Sequence, residues 1–260
     1  MILVSGPYDS GKTITLYTGI NLVNKEDSNI STAEYPVEIN LPGINQVQVD
    51  WQTNMTHDKI LKSLLRQSPD IILLDQIDDW ETANIAIKIA SNGRCLVMSG
   101  FRDFHDAPHA FTRLINQGIS TSTFAFADGI RLIIAQRLVR CLCDCKIEQN
   151  FPEAYLLSKG FKKEEIPELK LYGAKQGGCD KCGRSGYKGR TGIFQVMPIS
   201  EEMRQLIIMR WSYDWIDFSK ELAEPAHREG IADLRESGLK KVKRGITSLD
   251  EVNHVVPKNT

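Results

Sequence analysis

No apolar run in these 260 residues approaches the roughly 20 needed to cross a bilayer, so no membrane-spanning helix is expected. Charge of one sign is not in excess: 32 Lys and Arg stand against 33 Asp and Glu. There is thus no global basic field to make nucleic acid the expected partner. Internal repeats and low-complexity tracts are lacking, and 42% hydrophobic residues exclude disorder throughout. No leader-like segment opens the sequence, so a cytoplasmic chain is expected. Cysteine is sparse and uneven: of six, five fall in the short stretches 141–145 and 179–182, which points to metal rather than disulfides. At this length a full core can be buried, and one main domain with a smaller appendage is expected.

What is present is a phosphate loop. Gly6-Pro7-Tyr8-Asp9-Ser10-Gly11-Lys12-Thr13 has the G-x-x-x-x-G-K-[ST] spacing and follows the apolar run Ile2-Leu3-Val4. A helical pattern with Leu16, Ile20 and Val23 on one face follows it. A glycine-rich turn between strand and helix aims backbone N–H groups and a helix N-terminus at one point, where a nucleotide phosphate is stabilised. Gly6, Asp9, Ser10, Gly11, Lys12, Thr13 and Ile14 are the expected binding residues, with Lys12 reaching the β and γ phosphates and Thr13 holding Mg²⁺. ATP and Mg²⁺ are the expected ligands. Asn24-Lys25-Glu26-Asp27 spells a guanine-reading pattern, but it follows the loop too soon to reach a base.

Strands are predicted at 30–33, 47–49, 71–74 and 95–99, and helices at 57–67, 80–90, 107–117 and 124–137. Alternating β and α elements after a phosphate loop predict an α/β fold with a mainly parallel sheet flanked by helices, the nucleotide lying at the carboxyl ends of its strands. The character changes near residue 140. Cys141-Leu142-Cys143-Asp144-Cys145 and, after a polar stretch, Cys179-Asp180-Lys181-Cys182 offer thiolates for a tetrahedral structural Zn²⁺. Cys143, Cys145, Cys179 and Cys182 are the favoured ligands, with Cys141 an alternative to Cys143. A strand is expected at 191–197, then a helix capped by Ser200, then helical patterns broken at Gly230, Gly238 and Gly245. The expected organisation is a nucleotide-binding core at 1–140, a cysteine knuckle at 141–192 and a helical subdomain at 193–260.

With these pieces in order, the chain resembles the secretion ATPases of type IV pilus assembly and type II secretion. The blocks that carry the resemblance are Gly6 to Tyr17, Ile30 to Ile39 continued by Leu41 to Val47, Leu64 to Ile72, Ile134 to Leu138, Gly186 to Arg190 and Thr247 to Val252. The resemblance implies a RecA-like P-loop NTPase core and a hexameric ring that acts on an inner-membrane platform protein from the cytoplasmic side. It also implies nucleotide sites near subunit interfaces, with Arg113, Arg137 and Arg140 as candidate contacts across them. Family members carry a further domain ahead of the phosphate loop that supplies arginines to the nucleotide.

The departures from the family pattern fall on its chemistry. Where the family has Gly-Glu-Ile-Arg-Asp after the Walker B strand, this chain has Asp75-Gln76-Ile77-Asp78-Asp79. The amide of Gln76 cannot take a proton from an attacking water, so slowed hydrolysis is expected. Asp75 is expected to hold the Mg²⁺ water shell. The family's Ser-Thr-Leu-His-Thr-Asn-Asp-Ala becomes Ser99-Gly100-Phe101-Arg102-Asp103-Phe104-His105-Asp106-Ala107, with Arg102 at the histidine position and His105 as a candidate replacement. Tyr35 stands where an aspartate is usual, which leaves Glu34 and Glu38 as candidates for positioning water or metal. Asp9 replaces a usual glycine of the loop. A catalytically weak subunit that joins active homologues in a mixed ring is the alternative expectation.

Overall fold

A computed structural model of the chain describes residues 1–116, 127–210 and 218–256. The central sheet has seven strands in the order β3-β2-β4-β5-β1-β6-β9. These are β1 (Ile2–Gly6), β2 (Ile30–Glu34), β3 (Asn45–Gln48), β4 (Ile71–Ile77), β5 (Leu96–Arg102), β6 (Leu132–Leu142) and β9 (Tyr187–Pro198). The pairs β1–β5, β1–β6, β2–β3, β2–β4 and β4–β5 are all parallel. The parallel α/β sheet expected from the sequence is therefore present. Continuous burial along Ile71-Ile72-Leu73-Leu74 is what a strand covered on both faces requires.

Packing divides the chain into two compact units. The first is Met1–Ala135 with Val196–Ile231; the second is Gln136–Gln195 with Ala232–Thr260. The stretch 193–260, read from sequence as one subdomain, is thus shared between the two units.

In the first unit, α1 (Lys12–Val23) lays Leu16, Tyr17 and Ile20 on Val4, Ile30, Ile71, Leu73 and Met98. Helices α2 (His57–Leu64) and α3 (Trp80–Ser91) contact β2 and β5 respectively. The α3 start is fixed by Asp79, whose carboxylate accepts from the Thr82 N–H at 2.8 Å. Helix α4 (Ala107–Asn116) packs on α7 (Phe218–Arg228), with the Phe111 and Phe218 ring centres 6.2 Å apart. Between them in sequence lies α6 (Glu201–Arg210), and Ser200 Oγ accepts from the Met203 N–H at 3.3 Å, as its expected capping role requires.

The second unit is built differently. A short antiparallel pair of β7 (Ile147–Gln149) and β8 (Leu171–Gly173) accompanies α5 (Glu153–Lys159), α8 (Leu234–Lys243) and α9 (Leu249–Val255). Leu156, Phe161, Leu171, Leu239, Val242, Leu249 and Val252 form its core.

Two expectations are corrected. The helix expected over 124–137 is, from Leu132 onward, strand β6; its residues 124–126 lie outside those described. A short apolar run fits either period, and here the β-branched Ile133 and Ile134 pair with Leu3 and Val4 of β1. Gly238 does not break the tail but lies inside α8. A Cβ there would stand 2.8 Å from Val252, so glycine serves the close approach of α8 to α9.

Candidate functional site

The phosphate loop joins β1 to α1 at the carboxyl end of the parallel sheet. Asp9 and Gly11 both take left-handed backbone, with φ of 57° and 85°. The aspartate that replaces a usual glycine therefore occupies a conformation that suits glycine, one that Asp and Asn adopt more readily than most residues. The N-cap of α1 is Gly11, which brings no side-chain acceptor to the first-turn N–H groups, as an anion cradle requires. Lys12 Nζ donates to the Gly6 and Pro7 carbonyls at 3.0 and 2.8 Å, which holds the ammonium at the loop. Ser10 is buried, whereas Ile14 is exposed at the start of α1. These residues fit a nucleotide phosphate, and the Thr13 hydroxyl is the group that would hold its metal ion.

The acidic stretch after β2 comes to the same place. Thr13 Oγ1 donates to Glu38 Oε1 at 3.0 Å, so an exposed carboxylate stands beside the hydroxyl. Glu34 has a different setting. It is fully buried and accepts from the Tyr17 hydroxyl, Thr32 Oγ1 and Gln46 Nε2. Burial, then this bond to Glu34, pushes the Tyr17 phenol up to about 12. The same phenol oxygen accepts from the Glu38 N–H at 3.2 Å. Tyr17 thus ties the helix after the phosphate loop to both glutamates. Sequence patterning read Tyr17 only as the end of the phosphate-loop block.

Asp75 lies near the carboxyl end of β4, and its oxygens are engaged. Oδ1 lies 2.7 Å from His57 Nε2 and accepts from the Gln76 N–H at 2.8 Å, while Oδ2 accepts from the Tyr35 N–H at 2.8 Å. His57, a residue the sequence did not single out, is the near neighbour of Asp75.

The substituted positions meet one another. Gln76 Nε2 donates to Asp78 Oδ1 at 2.5 Å, and Arg102 reaches the same oxygen at 3.5 Å. The Arg102 guanidinium also lies 4.1 Å from the ring centre of Tyr8 in the phosphate loop. The β4–β5 ladder shifts register between Leu74 and Ile77, where Asp75 and Gln76 bulge. Gly100, which stands where the family has threonine, faces that bulge: a Cβ there would lie 2.1 Å from the Asp75 carbonyl oxygen. His105 is exposed, and its ring lies tilted against that of His109 rather than beside Gln76.

In the second unit Cys143, Cys145, Cys179 and Cys182 place their sulfurs within 4.8 Å of one another. Cys182 Sγ accepts from the Cys179 and Gly186 N–H groups, both at 3.2 Å. The Cys179 N–H above all pulls its thiol down to about 6. Desolvation, then hydrogen bonds within the cluster, pushes Cys145 up to about 12. Four convergent sulfurs with N–H groups aimed at one of them fit a tetrahedral structural zinc. Cys141 is outside this group, and Cys95 is a buried thiol in the first unit, raised to about 11 by burial. Of the arginines expected at a subunit interface, Arg140 is paired with Glu251, Arg137 is buried and Arg113 lies 3.5 Å from Asp103.

Comparison with known proteins adds to this geometry. Residues 1–254 match the family model described as type II/IV secretion system protein. The chain belongs to that family. It is 48% identical over 256 residues to the type IV pilus assembly ATPase PilB of Pseudomonas aeruginosa, covering 98% of this chain and 43% of that protein. It is 38% identical over 256 residues to the type II secretion system ATPase E of Vibrio cholerae, covering 98% of this chain and 48% of that one. The chain therefore spans less than half the length of these relatives. Among solved structures, the pilus retraction motor PilT with bound ADP shares the fold at a TM-score of 0.69 and 20% identity, over 99% of this chain and 61% of that one.

Proposed function

We propose that this chain is the ATP-binding motor portion of a secretion ATPase that powers type IV pilus assembly or type II secretion, slow in hydrolysis as it stands. The observation that carries the reading is the phosphate loop whose Thr13 hydroxyl donates to Glu38 while the position after Asp75 holds an amide, Gln76. Bound ATP would supply the phosphoryl group and Mg²⁺ would neutralise its charge. The loop N–H groups and Lys12 bind and orient the phosphates. Thr13 and Glu38 hold the metal and its water, with Glu34 fixing Tyr17 and, through it, the backbone of Glu38. Gln76 can orient a water by hydrogen bonding but not accept its proton, which is the source of the slow hydrolysis. On this reading the chain works as a homo-oligomer, a hexameric ring by family, at the cytoplasmic face of the inner membrane. It acts there on a platform protein of the machine, with Zn²⁺ held by the four cysteines.

The test is titration with a fluorescent ATP analogue and Mg²⁺, followed by phosphate release. Lys12→Ala is expected to abolish binding, and Gln76→Glu to raise turnover at least tenfold. Robust turnover by the unmodified chain would refute slow hydrolysis.

A second reading, a regulatory subunit that binds nucleotide within a ring of active homologues, is favoured by the mutual contacts of Gln76, Asp78 and Arg102 and by Gly100 against the β4 bulge. Substitutions that fit one another suit a retained role better than piecemeal loss. Failure to co-assemble with an active secretion ATPase in a pull-down would count against it.

A further inference from the structure

Between β5 and α4 the chain passes through Asp103-Phe104-His105-Asp106, and three side chains there converge. Asp103 is fully buried, with its N–H 3.4 Å from the Gly6 carbonyl oxygen and its Oδ1 accepting from the His105 N–H at 2.7 Å. His105 and His109 are four residues apart, and their ring centres lie 3.9 Å from each other. His105 Nδ1 is 3.4 Å from Asp103 Oδ1, and His109 Nδ1 is 3.5 Å from Asp103 Oδ2. His109 Nδ1 is shielded from solvent and makes no hydrogen bond.

A spacing of 3.4 to 3.5 Å is long for a hydrogen bond. It is close to the edge, about 3.3 Å, of a tetrahedron whose corners lie about 2.0 to 2.1 Å from a central zinc-like ion. All three ligand atoms fall within 4.8 Å of one another. We propose that Asp103, His105 and His109 form a site for a divalent transition metal, distinct from the cysteine cluster and from the Mg²⁺ that accompanies a nucleotide.

The donor set decides the class of ion. Two imidazoles and one carboxylate suit Zn²⁺, Co²⁺, Ni²⁺ or Fe²⁺, whereas Mg²⁺ and Ca²⁺ need oxygen ligands. An ion would give the buried Nδ1 of His109 the partner it lacks. Arg113, with a guanidinium nitrogen 3.5 Å from Asp103 Oδ2, opposes an added cation, while Asp106 is turned to the His109 N–H at 3.0 Å. Three protein ligands leave a further coordination position for water or a ligand oxygen. Because Asp103 abuts Gly6, the ion would sit next to the phosphate loop and fix the segment that leads into α4.

The test compares the unmodified chain with the double variant His105→Ala, His109→Ala. Both are equilibrated with Zn²⁺, cleared of loosely held metal and assayed for metal per chain by mass spectrometry, then titrated with Co²⁺ calorimetrically. The unmodified chain is expected to hold one more equivalent than the variant. Equal metal content and equal Co²⁺ titrations would overturn the proposal. Both proteins keep all six cysteines, so any failure of the cysteine cluster to bind zinc changes both counts alike. If the double variant melts early, His105→Ala alone serves, because that side chain is 61% exposed and its loss leaves the core intact. It too must lose or weaken the extra equivalent at least tenfold.

Discussion

The two compact units of this chain reach stability by different means and carry opposite charge. The first has 14 Lys and Arg against 22 Asp and Glu, and the second has 18 against 11. The near-neutral total is an average of an acidic unit and a basic one, so it describes neither. The first unit holds the parallel strands β1 to β5 whole, with helices packed on them. The second has a smaller core, four convergent thiols, capped helices and the buried Glu251, which joins Arg140 through three hydrogen bonds of 2.6 to 2.9 Å. A small core needs such staples because it removes too little apolar surface from water to offset chain entropy by itself.

The largest expected effect is on the second unit. Structural zinc in small modules contributes on the order of 10 kcal/mol. Cys182→Ser, or a strong chelator, is therefore expected to unfold the second unit while the first keeps its nucleotide binding. Hydrogen exchange resolved by segment checks this, and uniform loss of protection would break the contrast between the units. Next in size is Leu73→Ala in β4, at 1% exposure, with an expected cost of about 3 kcal/mol that appears in denaturant unfolding of the first unit.

Glu251→Gln should cost about 2 kcal/mol, since it leaves Arg140 short of its anion while Arg140 stays half-exposed to water. Burial raises the Glu251 pKa, but the Arg140 hydrogen bonds outweigh it and hold the carboxyl below its ordinary 4.5. A depressed carboxylate contributes stability above its unfolded value and loses it as pH falls through the folded one. The difference between wild type and variant should therefore be full at pH 6 and vanish as pH drops below 4.5 and through the folded pKa, which acid titration of unfolding tests. Smallest is Asp79→Ala at the α3 cap, about 1 kcal/mol by thermal melt, with the second unit unaffected.

The phosphate loop, the parallel α/β class and the two cysteine groups were legible in the sequence, whereas the choice of Cys143 over Cys141 came from the fold. Each is encoded locally: by the spacing of glycines, by continuous apolar runs and by paired cysteines whose loops are short. The Ser200 cap was legible for the same reason. What was not legible depended on pairing at a distance. Whether 132–137 is strand or helix was settled by a free edge of β1, because the apolar run satisfies both periods. That Gly238 belongs inside a helix was settled by Val252 on a neighbouring one. Only the tertiary structure decided that Tyr17 bridges Glu34 and Glu38, that Asp75 faces His57, and that Asp103, His105 and His109 share one point. A residue's type and spacing fix what chemistry it offers; which other residues stand within 3 Å of it is fixed by sheet register and helix packing, and these follow from the burial of the whole core rather than from any one stretch.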